Sequence, residues 1–289
     1  MKIDDHIHPD YYSYSAEKLV ENMDKYGIDK SWLLTWEAPA DEVDPAYHHL
    51  STPKDWRIEG PLPLSSAVEY TRKFPERFIL GFAPDPRLPE AIDRLNSAIN
   101  LYNVKIYGEL KIRMMLDNPD AIRMYRFCGE KKLPVLVHID YPIPYGYKYP
   151  RPDWWYGGSM DAFERAIKLC PETNFIGHAP GFWAHISGDE QYDKVSYPTG
   201  PVLPNGQLIK MLDTYPNLYC DISAGSGCNA LSRDLKFTKK FLVTYQDRIL
   251  YGRDYFDNIH QELLDSLEIP MEVLNKIYSL NALKLVPLD

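Results

Sequence analysis

The chain offers no apolar stretch approaching the ~20 residues that cross a bilayer. Its first residues carry no basic segment followed by an apolar one, so no export signal is expected and the expected address is cytoplasmic. Cysteine is scarce. Cys128, Cys170, Cys220 and Cys228 show no paired metal-binding spacing, and 289 residues bury enough surface to do without disulfides, so reduced thiols are expected. A basic stripe is also missing. The formal charge is −9 and the lysines and arginines are scattered, which argues against a phosphate backbone or a membrane surface as partner. A small anionic substrate stays compatible with that charge, because a divalent ion and a few local arginines reverse the potential inside a pocket. With no internal repeat, low-complexity tract or linker, residues 1–289 read as one domain, 45% apolar and 25% charged.

Short β-branched runs alternate with longer amphipathic ones, the rhythm of parallel strands joined by helical crossovers. The runs predict eight strands: Lys2–His8, Ser31–Trp36, Phe78–Ala83, Val104–Ile112, Pro134–Asp140, Thr173–His178, Leu218–Ser223 and Arg248–Asp254. Helices are predicted at Ala16–Tyr26, Pro89–Tyr102, Pro119–Lys131, Met160–Leu169 and Gln207–Thr214, with Ser15 and Asn118 as N-caps. Eight such units predict an α/β fold, a (β/α)8 TIM barrel whose chemistry sits where the carboxyl ends of the strands converge. Three long connections fall on that side, Glu37–Ser65, Tyr141–Ser159 and Ala179–Asn205. They carry Trp56, Tyr141, Tyr145, Tyr147, Tyr149, Trp154, Trp155, Tyr156, Phe182 and Trp183, too aromatic for disorder, and are expected to wall a pocket.

His6 and His8, one residue apart, leave the same face of the first strand, the way two imidazoles reach one metal ion. Such a pair alone is common and means little. Three further runs also end in candidate ligands: Leu133–His138, Asn174–His178 and Arg248–Asp254. His6, His8, His138 and Asp254 are the expected ligands, with His178 a further ligand or the group that orients water or substrate. Imidazole and carboxylate suit zinc, or manganese, and an open coordination position lowers the pKa of bound water from ~15.7 towards ~7. Asp254 doubles as the group that takes and returns the proton. Each residue also has an ordinary structural role available, as a satisfied core group, a strand cap or a helix N-cap. Jointly these roles require five coincidences at one barrel face.

Asp4, two residues before His6 and expected on the same face, reads either as a partner beneath the site or as a buried structural hydrogen bond. In the fourth strand Glu109 and Lys111 share a face, with Leu110 and Ile112 on the other. Glu109 is a candidate bridge to a second metal or an ion-pair partner of Lys111; Lys111 is a candidate for a substrate carboxylate or a bridging carbamate. One ion is the favoured count and two are left open. Arg113, Arg151, Arg253, Trp183 and His185 are weaker candidates for substrate contact. His48, His49 and His260 carry no spacing signal and read as solvent or loop residues.

The Ile3-Asp4-x-His6-x-His8 opening, the Pro134–His138 strand, Ile176-Gly177-His178, Leu218-Tyr219-x-Asp221-x-Ser223, Gly252-Arg253-Asp254 and the closing Ile277–Ala282 run together resemble the amidohydrolase superfamily, in its amidohydrolase-related branch with the aminocarboxymuconate-semialdehyde decarboxylase-like enzymes. The resemblance spans almost the whole chain. It implies a TIM barrel with one divalent metal, often zinc, on the residues matching His6, His8, His138 and Asp254, with the His178 match close to substrate; homodimers are frequent among similar enzymes. Two positions depart from it. Arg253 stands where relatives commonly carry a small hydroxyl residue, and Gly108-Glu109 resembles the fourth-strand Gly-Glu of TatD-like deoxyribonucleases, whose glutamate serves two metals.

Three functions follow as expectations. The first is a metal-dependent hydrolase of an amide, ester or lactone in a small organic molecule. The second is a non-oxidative decarboxylase on the same metal, with Asp254 or His178 protonating carbon. The third is a non-catalytic metal-binding homologue.

Overall fold

A computed structural model of the chain describes residues 1–44, 60–142 and 154–288. His48, His49, Trp56, Tyr145, Tyr147, Tyr149 and Arg151 lie outside the described residues. Each predicted window overlaps a parallel strand: β1 Ile3–Ile7, β2 Lys30–Leu33, β3 Phe78–Leu80, β4 Tyr107–Leu110, β5 Val135–His138, β6 Phe175–His178, β7 Leu218–Asp221 and β8 Ile249–Leu250.

Ladder pairing runs β1-β2-β3 and β4-β5-β6-β7-β8. Two seams join these into a ring. Phe82 N donates to Ile106 O and Lys105 N to Leu80 O, both at 2.9 Å, linking β3 to β4. Asp5 N donates to Tyr251 O at 3.0 Å and Asp254 N to His6 O at 2.8 Å, linking β8 back to β1. The fold is a (β/α)8 barrel.

Side-chain alternation sorts the core into two layers. Ile3, Trp32, Ile79, Ile106, Leu136, Ile176, Tyr219 and Leu250 pack together inside the ring, against Ala282, Leu285 and Val286 at the chain's end. Leu33, Val135, Val137, Phe175, Leu218, Cys220 and Ile249 belong to the outer layer, facing the helices. Local signals set the helix starts: Ser15 accepts a hydrogen bond from Lys18 N, and Asn118 accepts from Asp120 N ahead of Pro119.

Two expectations are corrected here. The Ala179–Asn205 connection does not begin as a pocket wall: it opens with helix Pro180–Trp183, whose Phe182 and Trp183 are buried in the outer core, Phe182 filling the space that a side chain at Gly177 would need. Asp4 does not share a face with His6. Strand β1 shifts register between Asp4 and Ile7, so Ile3 lies inside the ring while Ile7 faces the helices, and Asp4 points outward.

There Asp4 meets Arg253. The carboxylate accepts from Arg253 Nε at 2.7 Å and Arg253 N at 2.9 Å, and Arg253 also donates to Asn22 Oδ1 at 2.8 Å; both partners of the ion pair are fully buried. Arg253 therefore fastens β8 to β1 and to helix Ala16–Tyr26, away from substrate. Arg253→Met strands the Asp4 charge and is expected to cost about 3–5 kcal/mol of unfolding free energy in urea titrations. The Asp4→Leu/Arg253→Met double variant should recover most of that loss, whereas a single-variant loss below about 1 kcal/mol would show a pair no stronger than a surface one.

Candidate metal centre

The carboxyl ends of β1, β4, β5, β6, β7 and β8 bring His6, His8, Glu109, His138, His178, Asp221 and Asp254 together, all buried. Three anchors decide which imidazole nitrogens face the mouth. His6 Nδ1 donates to Asp221 Oδ2 at 2.7 Å, His8 Nδ1 to Leu34 O at 2.9 Å, and His178 Nδ1 to Ser223 Oγ at 2.9 Å. Each Nε2 is then left with its lone pair directed inward, the tautomer a metal ligand needs.

His6 Nε2 lies 3.2 Å from His8 Nε2, and 3.8 Å from both Glu109 Oε2 and Asp254 Oδ1; His8 Nε2 lies 3.4 Å from each of those oxygens. Four ligands about 2.0–2.1 Å from a tetrahedral ion stand about 3.3 Å apart, so this donor set has the size of a divalent coordination shell. Asp254 reaches it because β8 turns at Gly252 and Asp254 adopts φ 60°, a left-handed conformation aspartate tolerates. Gly252 is required by proximity: a Cβ there would stand 2.3 Å from Asp5 Oδ1 and 2.6 Å from Asp221 Oδ1.

Glu109 faces a second group with its other oxygen. Oε1 is 2.6 Å from His138 Nδ1 and 3.9 Å from His178 Nε2, and these three residues form a further set with metal-binding spacing. Glu109 thus holds the place beside His6, His8 and Asp254 that was expected for His138, because its carboxylate lies between them. His138 Nε2 is buried with no hydrogen-bond partner among the described residues. An orphaned imidazole nitrogen, two sets of His and carboxylate donors and inward lone pairs fit a divalent cation.

Electrostatics point the same way. Burial alone would depress His6, but Asp254, Asp221 and Glu109 outweigh it and push its pKa well above the usual imidazole value. Burial would raise Glu109 and Asp254, yet the surrounding histidines pull both carboxyls down, Glu109 furthest. His178 is lowered by burial and by neighbouring His6. The carboxylates stay ionised and need positive charge, which protons on imidazole or a metal ion supply; metal binding displaces those protons.

Asp221 was missed as a site residue. Its Oδ2 takes His6 Nδ1 and the Ser223 hydroxyl, both at 2.7 Å, and lies 3.2 Å from His178 Nδ1. The available signal was its place at the end of the apolar Leu218–Cys220 run, with Ser223 two residues on.

Other candidates lie elsewhere. Trp183 is core, its Nε1 donating to Asp221 O at 2.9 Å. His260, expected in solvent, is buried and bonds Ala224 O at 2.9 Å. Lys111 and Arg113 stand on the rim, packed on aromatic rings. His185 Nε2 accepts from Tyr141 OH at 2.9 Å, and its ring stacks on Tyr192.

The family description "Amidohydrolase" matches residues 40–288. Among solved structures, a 2,6-dihydroxybenzoate decarboxylase complexed with 2,6-dihydroxybenzoate superposes with TM-score 0.62 at 16% identity, covering 99% of each chain. A dihydroxybenzoic acid decarboxylase from Polaromonas sp. JS666, with bound manganese and an inhibitor, gives 0.58 at 16%, over 98% of this chain and 96% of its own. A probable 2-pyrone-4,6-dicarboxylic acid hydrolase from Acinetobacter baumannii gives 0.57 at 10%, over 98% of each. At these identities the likeness is one of fold. No curated protein sequence matches the chain.

Burial pushes His185 down to about 4, with Asp161 and Asp193 opposing it in part. The unfolded chain takes up this proton near pH 6.5 and the folded one only near pH 4. Stability is therefore expected to fall as pH drops from about 6.5 to about 4, by up to about 3 kcal/mol, and to level off below. Urea titrations at pH 7 and pH 4.5 should show a larger loss in the wild type than in His185→Asn; equal losses would remove His185 as the source.

Proposed function

The chain belongs to the amidohydrolase family, and from that premise we propose that it is a metal-dependent hydrolase acting on an amide, ester or lactone of a small organic molecule. The observation that carries the metal-dependent part of the reading is the double reach of Glu109, one carboxylate oxygen towards His6 and His8 and the other towards His138 and His178. His6, His8, Glu109 and Asp254 would hold the first divalent ion, zinc or manganese. Glu109, His138 and His178 are the donors for a second. When bound, such an ion acidifies water and polarises a carbonyl oxygen.

The chain's own groups do the rest. Asp254, a carboxylate kept ionised by its histidine neighbours, takes the proton of the attacking water and returns it to the leaving group. Asp221 and Ser223 keep His6 and His178 in one tautomer, so the lone pairs face substrate without reorganisation. Burial of all seven residues limits competing water.

A second reading is supported by dihydroxybenzoate decarboxylases among the structural neighbours. On it, the same donors seat a substrate carboxylate and Asp254 or His178 delivers a proton to carbon as carbon dioxide leaves.

Chelator-treated protein is expected to lose turnover of an ester, lactone and amide panel, and zinc or manganese to restore it. Elemental analysis should find metal that disappears in His6→Ala/His8→Ala. Two equivalents falling to one in Glu109→Ala would mark a bridged pair. Carbon dioxide release from a panel of aromatic acids, without hydrolysis, would replace the first reading by the second; metal-loaded protein inert on both panels would overturn both.

A further inference from the structure

We infer that a cleft at the start of helix Gln207–Thr214, floored by His185, binds a small zwitterion of the α-amino acid class, at a site separate from the metal centre. The cleft has a volume of about 370 Å³, within the range of small-molecule pockets, and no residue of the metal centre lines it. His185 supplies the first argument. It is 7% exposed, and its Nε2 accepts the Tyr141 hydroxyl at 2.9 Å, a hydroxyl that itself accepts Met160 N at 3.0 Å. The single Tyr141 proton is thereby committed to Nε2, so the neutral ring carries its own proton on Nδ1. Burial, which lowers the pKa of this imidazole, keeps the ring neutral near pH 7. Among the described residues no acceptor meets the Nδ1–H, and Nδ1 opens to the cleft rather than being sealed in the core. A buried side chain with a donor left over calls for an acceptor from outside.

The helix start supplies the second. Gly206 is the N-cap of Gln207–Thr214, no side chain among the described residues caps it, and the first turn carries no acidic residue. Gly206 packs directly on the backbone of His185 and Ile186: a Cβ there would stand 2.2 Å from Ile186 O and 2.8 Å from His185 O. The helix amides and the His185 N–H therefore border one cleft, and Lys210, one turn into the same helix, adds a full positive charge at its rim. Together these suit a carboxylate. Negative charge stands beside them. Asp161, in the first turn of Met160–Leu169, accepts from Gln207 Nε2 at 2.7 Å through Oδ1, and Glu190 lines the same cleft. A simple anion would meet these carboxylates at a cost, and a simple cation would leave the helix start and the imidazole N–H unmet. A ligand with ammonium and carboxylate on one carbon answers both, because the acid and the helix start are within one side chain of each other. Tyr141, Tyr192 and Met160 give its side chain apolar surface.

A thermal-shift screen of the standard L-amino acids on metal-loaded protein, followed by calorimetry of the strongest binder on metal-loaded and chelator-treated protein, tests the site. Equal affinity is expected in both forms; binding lost with the metal would place the ligand at the metal centre and overturn the proposal. The deaminated acid and the decarboxylated amine of the same amino acid should each bind about tenfold more weakly or worse. Asp161→Asn keeps the oxygen that Gln207 uses and should weaken the amino acid about tenfold while sparing the deaminated acid, whereas Lys210→Met should weaken the amino acid and the acid but not the amine. His185→Phe removes the N–H and should weaken the amino acid and the acid alike; should it fail to fold, Asp161→Asn and Lys210→Met decide alone. No binder in the screen, analogues that bind as well as the amino acid, or affinity unchanged across the folded variants would overturn the site.

Discussion

Three ionised carboxylates, Glu109, Asp221 and Asp254, are shut into the mouth of a closed barrel, and the surrounding arrangement answers that fact. An isolated buried carboxylate costs several kcal/mol, so each must be met by hydrogen bonds or positive charge. Imidazoles provide both. His6 lies between Asp221 on its Nδ1 side and Glu109 and Asp254 on its Nε2 side, and His138 and His178 flank Glu109 from across the ring. Protonated imidazoles can balance that charge, but only by giving up the lone pairs that the Nδ1 anchors direct inward. A divalent ion balances it and uses those lone pairs, and so satisfies both halves of the arrangement at once.

The barrel makes such a cluster possible by separating two tasks along each strand. Lower positions carry the interior apolar layer and upper positions carry donors: Leu136 then His138, Ile176 then His178, Tyr219 then Asp221. On β8 the position after Leu250 is Gly252, whose missing side chain admits the Asp5 and Asp221 carboxyl groups. Asp5 is held well above the usual carboxyl range, chiefly by burial and then by Asp221.

Periodicity made the strand count legible, because each window is a short β-branched run, and four of them close on or near a candidate ligand: His8, His138, His178 and Asp254. That spacing brought His6, His8, His138, His178 and Asp254 forward as candidates, and side-chain alternation in the fourth window brought Glu109. What could not be read was parity. The register shift in β1 turns Asp4 from the mouth to the helices, and that shift has no signature in Ile3-Asp4-Asp5-His6. Arg253 illustrates the consequence: next to a ligand in sequence it looked like a substrate contact, yet its partner is Asp4, across the chain from it. Asp221 escaped notice because it touches histidines through their outer nitrogens, and such partners are set by tertiary packing rather than spacing. His260 shows the converse, since the absence of any spacing signal gave no warning that the Ala224 carbonyl would claim it.

Glu109 also explains why the donor cluster alone does not separate hydrolysis from decarboxylation. On the proposed readings both reactions would use an ion held by His6, His8 and Asp254, with Asp254 ionised beside it; they differ in whether water or a substrate carboxylate would take the remaining position. A carboxylate already committed at both oxygens, as Glu109 is, raises the negative charge at that position. An entering anion must then be drawn by charge further out, whereas neutral water needs no such help.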